Sequence, residues 1–303
     1  MASRFRYGAH AYLWTDHWSD EALGLLDHAR ELGAELFEIP LGEDVECSEE
    51  AVRRRREEVG LELTVGPGGQ WPPACDLSSD DPDERARALS WHAEMIQRAA
   101  QMGAVAYCGA LYGRPGTVQR RRPPADEYPR TAAGLHELAE LARSLGVRLL
   151  LEPMSRFRTH VVNTPMQALQ LVNLADHANL GIILDTYHMV TEVRDYAAGI
   201  RCVGDRLWGV HACENDRGVP GGGLVPWDEV FDALVEVQPE ARIMLETYNT
   251  SIGDHGYRRG LFQNQCPDGD AFARQAFAFL KRRAAEAERR LRTGATGPSG
   301  SAV

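Results

Sequence analysis

Short runs rich in β-branched and large apolar residues alternate with helical patterns along this chain, about one such pair every 30 residues. That alternation limits the fold more than any other feature, because parallel strands joined by helices either close into a barrel or spread into an open doubly wound sheet. Strands are expected at Tyr7–Tyr12, Leu36–Leu41, Glu62–Pro67, Val105–Leu111, Val147–Glu152, Leu180–Asp185, Leu207–His211 and Ile243–Glu246. Between them lie helical segments with readable ends. SDEALGLLDHARELG has Ser19 as a cap and Gly33 as a stop, and NTPMQALQLVNLA has Asn163 or Thr164 as a cap before Pro165. TAAGLHELAELARSLG sets Leu135, Leu138, Leu141, Ala142 and Leu145 on one face. VPWDEVFDALVEV opens a further helix after the Pro220–Gly223 loop. A length of 303 residues allows two ordinary domains or one barrel. The glycine-rich G-x-G-x-x-G that an open dinucleotide-binding sheet carries early is absent. The expected fold is therefore α/β, a (β/α)8 TIM barrel of one domain over residues 1–292, followed by a flexible tail over 293–303 (TGATGPSGSAV).

Composition removes several functions. A formal net charge of −11 opposes a nucleic-acid grip, which needs a basic face. The six cysteines form no C-x-x-C pair and read as reduced thiols of a cytoplasmic protein. MASRFRYGAHAYLW lacks a signal-peptide core, and no apolar run reaches the ~20 residues of a membrane span. Lys281, in the expected C-terminal helix, is the single lysine, which opposes Schiff-base chemistry and a Walker-type phosphate loop. RRRREE, residues 53–58, reads as an exposed helix face. RPGTVQRRRPPADEYP, residues 114–129, reads as a long loop on the rim after the fourth strand, suited to a pocket wall.

Four consecutive strands end alike. VRLLLE ends on Glu152, LGIILD on Asp185, RLWGVH on His211 and ARIMLE on Glu246, at intervals of 33, 26 and 35 residues. In a parallel barrel these ends share the C-terminal rim, where barrel enzymes carry their chemistry. Adjacent strands lie about 4.8 Å apart, so the four side chains can meet. Three carboxylates packed together repel one another unless a cation sits among them. An oxygen-rich set with one imidazole suits Mn2+, Mg2+ or Co2+ better than a closed structural zinc site. One acid at a strand end is more often a helix cap or a surface group; four in series point to a metal. His188, three residues beyond Asp185, is by itself as consistent with a structural histidine as with a functional one.

The motifs AYLWTDHW, EIPLGE, LDTYHM, HACENDRGVPGGGLVPWDEVF and LETYN resemble the xylose-isomerase-like TIM barrel (sugar phosphate isomerase/epimerase) superfamily, and most closely its D-tagatose/D-allulose (psicose) 3-epimerase family. The resemblance covers nearly the whole chain, and the last four strand-and-loop motifs are its specific part. It implies that Glu152, Asp185, His211 and Glu246 are metal ligands, with Mn2+ the leading candidate and Mg2+ or Co2+ the others. It also implies that Glu152 and Glu246 form the acid/base pair, that His188 and Arg217 hold substrate oxygens near C1 and C2, and that Tyr248 lies over the sugar. The implied reaction is divalent-metal-dependent inversion at C3 of a ketose or keto-sugar derivative through a metal-stabilised enediolate, by a small-molecule enzyme forming a homodimer or homotetramer. Elementary chemistry agrees: a Lewis acid chelated by a carbonyl and its neighbouring hydroxyl acidifies the C–H between them. Inversion then needs a base on each face, and Arg217 can stabilise developing oxyanion charge.

Two departures from the family stand out. Its E-x-x-N-R-F-E reads EPMSRFRTH here, so Arg158 replaces the second glutamate, and GALYGRPG lacks the family's tryptophan wall. Together they suggest a substrate larger than a free hexulose or one bearing an anionic group, with Arg158 among the substrate-binding residues. The same site would also serve a lyase of 3-keto-glycosides (C-glycoside deglycosidase-like), a keto-inositol dehydratase, or an aldose–ketose isomerase of the hydroxypyruvate or xylose isomerase kind. The superfamily's DNA-repair endonuclease is opposed by the acidic charge and the scattered histidines. A barrel kept only as a scaffold is opposed by the intact set of four strand-end residues.

Overall fold

A computed structural model describes residues 5–294. Eight strands are present among them: β1 (Arg6–His10), β2 (Leu36–Pro40), β3 (Glu62–Gly66), β4 (Ala106–Gly109), β5 (Arg148–Leu151), β6 (Leu180–Asp185), β7 (Leu207–Ala212) and β8 (Arg242–Leu245). Each pairs in parallel with its sequence neighbours, and β1 pairs with β8 to close the barrel. Ten helices accompany them: α1 (Gly24–Glu31), α2 (Glu49–Val59), α3 (Pro82–Gln101), α4 (Glu127–Ser144), α5 (Pro165–Ala175), the single turn α6 (Thr186–Met189), α7 (Tyr196–Val203), α8 (Trp227–Val237), the single turn α9 (His255–Arg258) and α10 (Gly269–Thr293). The expected single-domain (β/α)8 barrel is the fold. None of these helices is long and apolar enough to cross a membrane.

The helix ends follow local chemistry. Thr164 caps α5 in a reciprocal box with Gln167, and Pro165 takes the first turn, where no N–H is needed. Gly33 adopts the left-handed backbone (φ 95) expected of a helix stop. Ser19 departs from expectation: its side chain caps nothing, since a 3-10 turn over Asp20–Ala22 precedes α1, which starts only at Gly24. The stretch 114–129 is a loop up to Asp126 and then becomes the first turn of α4. Of the expected tail, Thr293 closes α10, and residues 295–303 lie outside the described residues.

Two apolar layers hold the barrel. Leu36, Ala106, Cys108, Leu150, Ile183, Trp208 and Met244 fill the lumen, while the larger cluster packs the outward strand faces against the helices. Side chains alternate along a strand, so residue i+2 shares the lumen face of residue i. Two positions beyond Leu36, Leu150, Ile183 and Met244 stand Glu38, Glu152, Asp185 and Glu246. The alternation that packs the lumen therefore delivers carboxylates to its mouth. Strands β5 and β8 end one residue before Glu152 and Glu246, so both leave the ladder just above the apolar plug.

Candidate metal centre and sugar-binding site

At the C-terminal mouth, ligand-type atoms of Glu152, His211 and Glu246 lie within 4.8 Å of one another. Glu152, Asp185 and His188 form an overlapping group, as do Glu38, Cys108 and His211. All are buried. His211 is the hinge of the cluster. Its Nδ1 is 2.7 Å from Glu152 Oε1 and 3.1 Å from Glu246 Oε2, while Nε2 faces Glu38 Oε2 at 3.4 Å. Asp185 joins through Glu152 and divides its two oxygens. Oδ1 caps α6 by accepting the Tyr187 N–H at 2.9 Å, so the cap reading of a strand-end acid holds for it, and Oδ2 is the oxygen left facing the cluster.

Arg217 reaches into the same centre. Its backbone is left-handed (φ 68), a conformation uncommon outside glycine, in a tight turn where Arg217 N–H donates to Glu214 O. The turn aims the guanidinium inward: Nη2 lies 2.7 Å from Asp185 Oδ2 and Nη1 3.1 Å from Glu246 Oε2. These are charge contacts without hydrogen-bond alignment. Asp185 Oδ2 and Glu246 Oε2 remain buried with no hydrogen-bond donor, as does His188 Nδ1.

Burial and charge act strongly here. Burial raises the Glu152 and Asp185 carboxyls, against the pull of His211 on the first and Arg217 on the second. Burial alone would also raise Glu246 and Glu38; Arg217 and His211 outweigh it at Glu246, and His211 does so at Glu38, so both are held low. Burial would lower His211, but Glu152, Glu38 and Glu246 raise it well above an ordinary imidazole. Burial, reinforced by Arg217, keeps His188 neutral.

Four buried carboxylates thus face one guanidinium and the imidazoles of His10, His188 and His211, and two of their oxygens are orphaned. Buried polar atoms are ordinarily paired, so a set of carboxylate oxygens and imidazole nitrogen in this state fits a divalent cation of the Mn2+, Mg2+ or Co2+ type.

The remaining sequence-predicted residues divide. Tyr248 stands at the centre, its hydroxyl donating to Glu246 Oε1 at 2.9 Å and its ring forming an aromatic wall with Tyr12 and His255. His188 lies beside Asp185, Nε2 to Oδ2 3.6 Å. Arg158 is not among the cluster. It lines a separate cleft of about 470 Å3, whereas the pocket over Glu152, His211 and Glu246 is only about 60 Å3. A wider cleft of about 600 Å3 on the flank has no imidazole or thiol in its lining. Its arginines are already paired, Arg201 with Glu236 and Arg283 with Asp228, so it is no rival for this chemistry.

Sequence reasoning missed His10, Glu38, Cys108 and Arg259, which all line the small pocket. For Glu38 a signal existed: a carboxylate inside the otherwise apolar LFEIP, every residue of which is buried.

The xylose isomerase-like TIM barrel family model matches residues 26–283. The ketose 3-epimerase of Arthrobacter globiformis is 30% identical over 290 residues, covering 91% of this chain and 96% of its own. The D-psicose 3-epimerase of Ruminiclostridium cellulolyticum is 28% identical over 251 residues, 80% and 84% of the two chains. A solved L-ribulose 3-epimerase shares the fold with a TM-score of 0.87 and 27% identity, over 99% of this chain and 100% of that one.

Proposed function

Because this chain belongs to the xylose isomerase-like TIM barrel family and its relatives are sugar epimerases, we propose that it inverts C3 of a ketose or keto-sugar derivative, using a divalent cation and the pair Glu152 and Glu246. The observation that carries this reading is the convergence of Glu152, Asp185, His211 and Glu246 at the lumen mouth with two carboxylate oxygens left unpaired. Glu152, Asp185, His211 and Glu246 would hold the cation, Mn2+ being favoured, and it would supply Lewis acidity to the bound carbonyl.

The protein's own groups do the rest. Glu152 follows the last residue of β5 and Glu246 that of β8, and the two carboxylates approach the same nitrogen of His211, Nδ1. One carboxylate takes the C3 proton, the C–H electron pair passing into an enediolate. The other gives a proton to the opposite face, forming the new C–H bond, and the substrate is isomerised with no change in composition. Arg217 faces the oxygen that gains negative charge. The unpaired Nδ1 of neutral His188 supports its role as a hydrogen-bond partner of a substrate oxygen. Tyr248 fixes Glu246 through its hydroxyl and offers an aromatic face to the sugar ring. Burial of the whole set keeps bulk water from the intermediate. Six unpaired cysteines support a cytoplasmic location.

The test is protein supplied with Mn2+, or with Mg2+ or Co2+, and a panel of ketopentoses and ketohexoses in deuterated buffer. Deuterium is expected at C3; exchange at C1 alone would replace epimerisation by aldose–ketose isomerisation, and no exchange with any member would overturn the reading. In Glu152→Gln/Glu246→Gln, exchange is expected to fall by roughly 10^2-fold or more, with loss of bound metal. Wild-type metal content and turnover in that variant would mean the site lies elsewhere.

A further inference from the structure

Beside the small pocket lies the cleft of about 470 Å3, whose lining includes Arg114, Arg158, Arg258, Arg259 and His255. The two cavities share Pro115 and Arg259. Among the described residues none of these four guanidinium groups is ion-paired with a carboxylate. Arg259 donates instead to the His255 imidazole, Nε to Nε2 3.2 Å, and to the Gly68 carbonyl. Among the described residues Asp44 is the only acid in the lining, and its Oδ1 already accepts the Gln70 N–H at 2.7 Å.

A protein with a net charge of −11 has many acids available to pair with arginines, as the paired surface arginines elsewhere show. Four left together without an acidic partner repel one another, and a half-buried guanidinium such as Arg158 gains nothing from that arrangement unless an anion arrives. The cluster is also held in place. Gly116 N–H donates to Arg158 O at 2.7 Å, and Thr117 and Thr159 form a parallel bridge, so the loop carrying Arg114 is tied to the loop carrying Arg158.

We propose that this arginine cleft is a subsite for an anionic group at the end of the substrate remote from its keto carbon, a phosphate ester or a carboxylate, so that the substrate is an acidic keto-sugar. The inference rests on the proposed function for the location of the keto end, and on the cleft alone for the anion. Guanidinium forks match phosphate and carboxylate oxygens in pairs. A cleft that borders the small pocket at Pro115 and Arg259 accepts the tail of a molecule whose head lies over Glu152 and Glu246.

Binding by calorimetry separates the possibilities, because it does not depend on turnover. Three probes differ only at C6: D-fructose, D-fructose 6-phosphate and D-fructuronate. At least one of the two anions is expected to bind about tenfold or more tighter than D-fructose, and which one does so tells phosphate from carboxylate. In Arg158→Gln/Arg258→Gln that preference is expected to shrink by about tenfold. The single variant Arg258→Gln, at an exposed position, should move it in the same direction and guards against a folding defect. Equal affinity for all three probes, or a preference untouched by the variants, overturns the subsite. C3 deuterium exchange is followed in parallel. Exchange on D-fructose without anion preference would leave the epimerase and remove the subsite; anion preference without exchange on any probe would keep the subsite and remove the epimerase.

Discussion

At the scale of single residues, His211 is held from both sides, and that explains why Glu38 belongs to the site. A ligating histidine is oriented by the partner of its other nitrogen, which fixes tautomer and ring angle. With Nδ1 turned toward Glu152 and Glu246, Nε2 is left for Glu38, whose Oε2 is itself fixed by the Thr64 hydroxyl at 2.8 Å. Glu38→Gln keeps the shape and removes the charge. Its Mn2+ affinity, read by titration, is expected to fall roughly 10- to 100-fold; unchanged affinity would mean another group sets the imidazole. Glu152, Asp185, His211 and Glu246 were legible because each closes an apolar run with a polar residue. Glu38 left a weaker signal, a lone carboxylate inside an apolar run, because Ile39 and Pro40 continue its strand and hide the break. Arg259 and Arg258 carry no local signal, since only the return of the chain after β8 sets them beside Arg158.

At the scale of elements, the strands were readable to within a few residues and β6 to the residue, because a strand buried on both faces shows as a continuous apolar run. The turn α6, which sets His188 beside Asp185, was not: four residues are too few to show a helical period. Closure of the barrel makes its own demand at Gly209 in β7. A Cβ there would sit 2.3 Å from the Arg242 carbonyl oxygen of β8, and backbone cannot step aside as a flexible side chain would. Gly209→Ala is expected to lower stability by roughly 1–3 kcal/mol, seen as a fall of several degrees in Tm. It should also weaken metal binding, since His211 follows two residues later. A variant that melts like the wild type would show that the β7–β8 seam has slack.

At the scale of the molecule, the alternation of strand and helix fixed the architecture in advance, while the cavities and their charge emerged only when distant loops met on one rim. Global stability has a pH dependence of its own. His92 on α3 is fully buried, Nδ1 3.0 Å from the Tyr107 hydroxyl, and burial pushes its pKa down to about 3. In the unfolded chain an imidazole titrates near 6.5, so as pH falls the unfolded state takes up the proton first. Stability is therefore complete above about 6.5 and is lost toward the folded value, at about 1.4 kcal/mol per pH unit. Between pH 7 and 5 the wild type is expected to lose about 2 kcal/mol more than His92→Gln in urea unfolding. Parallel losses would show that the site admits the charge.

Arg259 closes the account, because one side chain forms a wall of both the inner pocket and the outer cleft. Whatever presses on it from outside alters the shape offered inside. With the proposed anionic tail in the outer cleft, selectivity and turnover would be geared together, and an engineer who retunes that cleft would move the rate at the keto end as well.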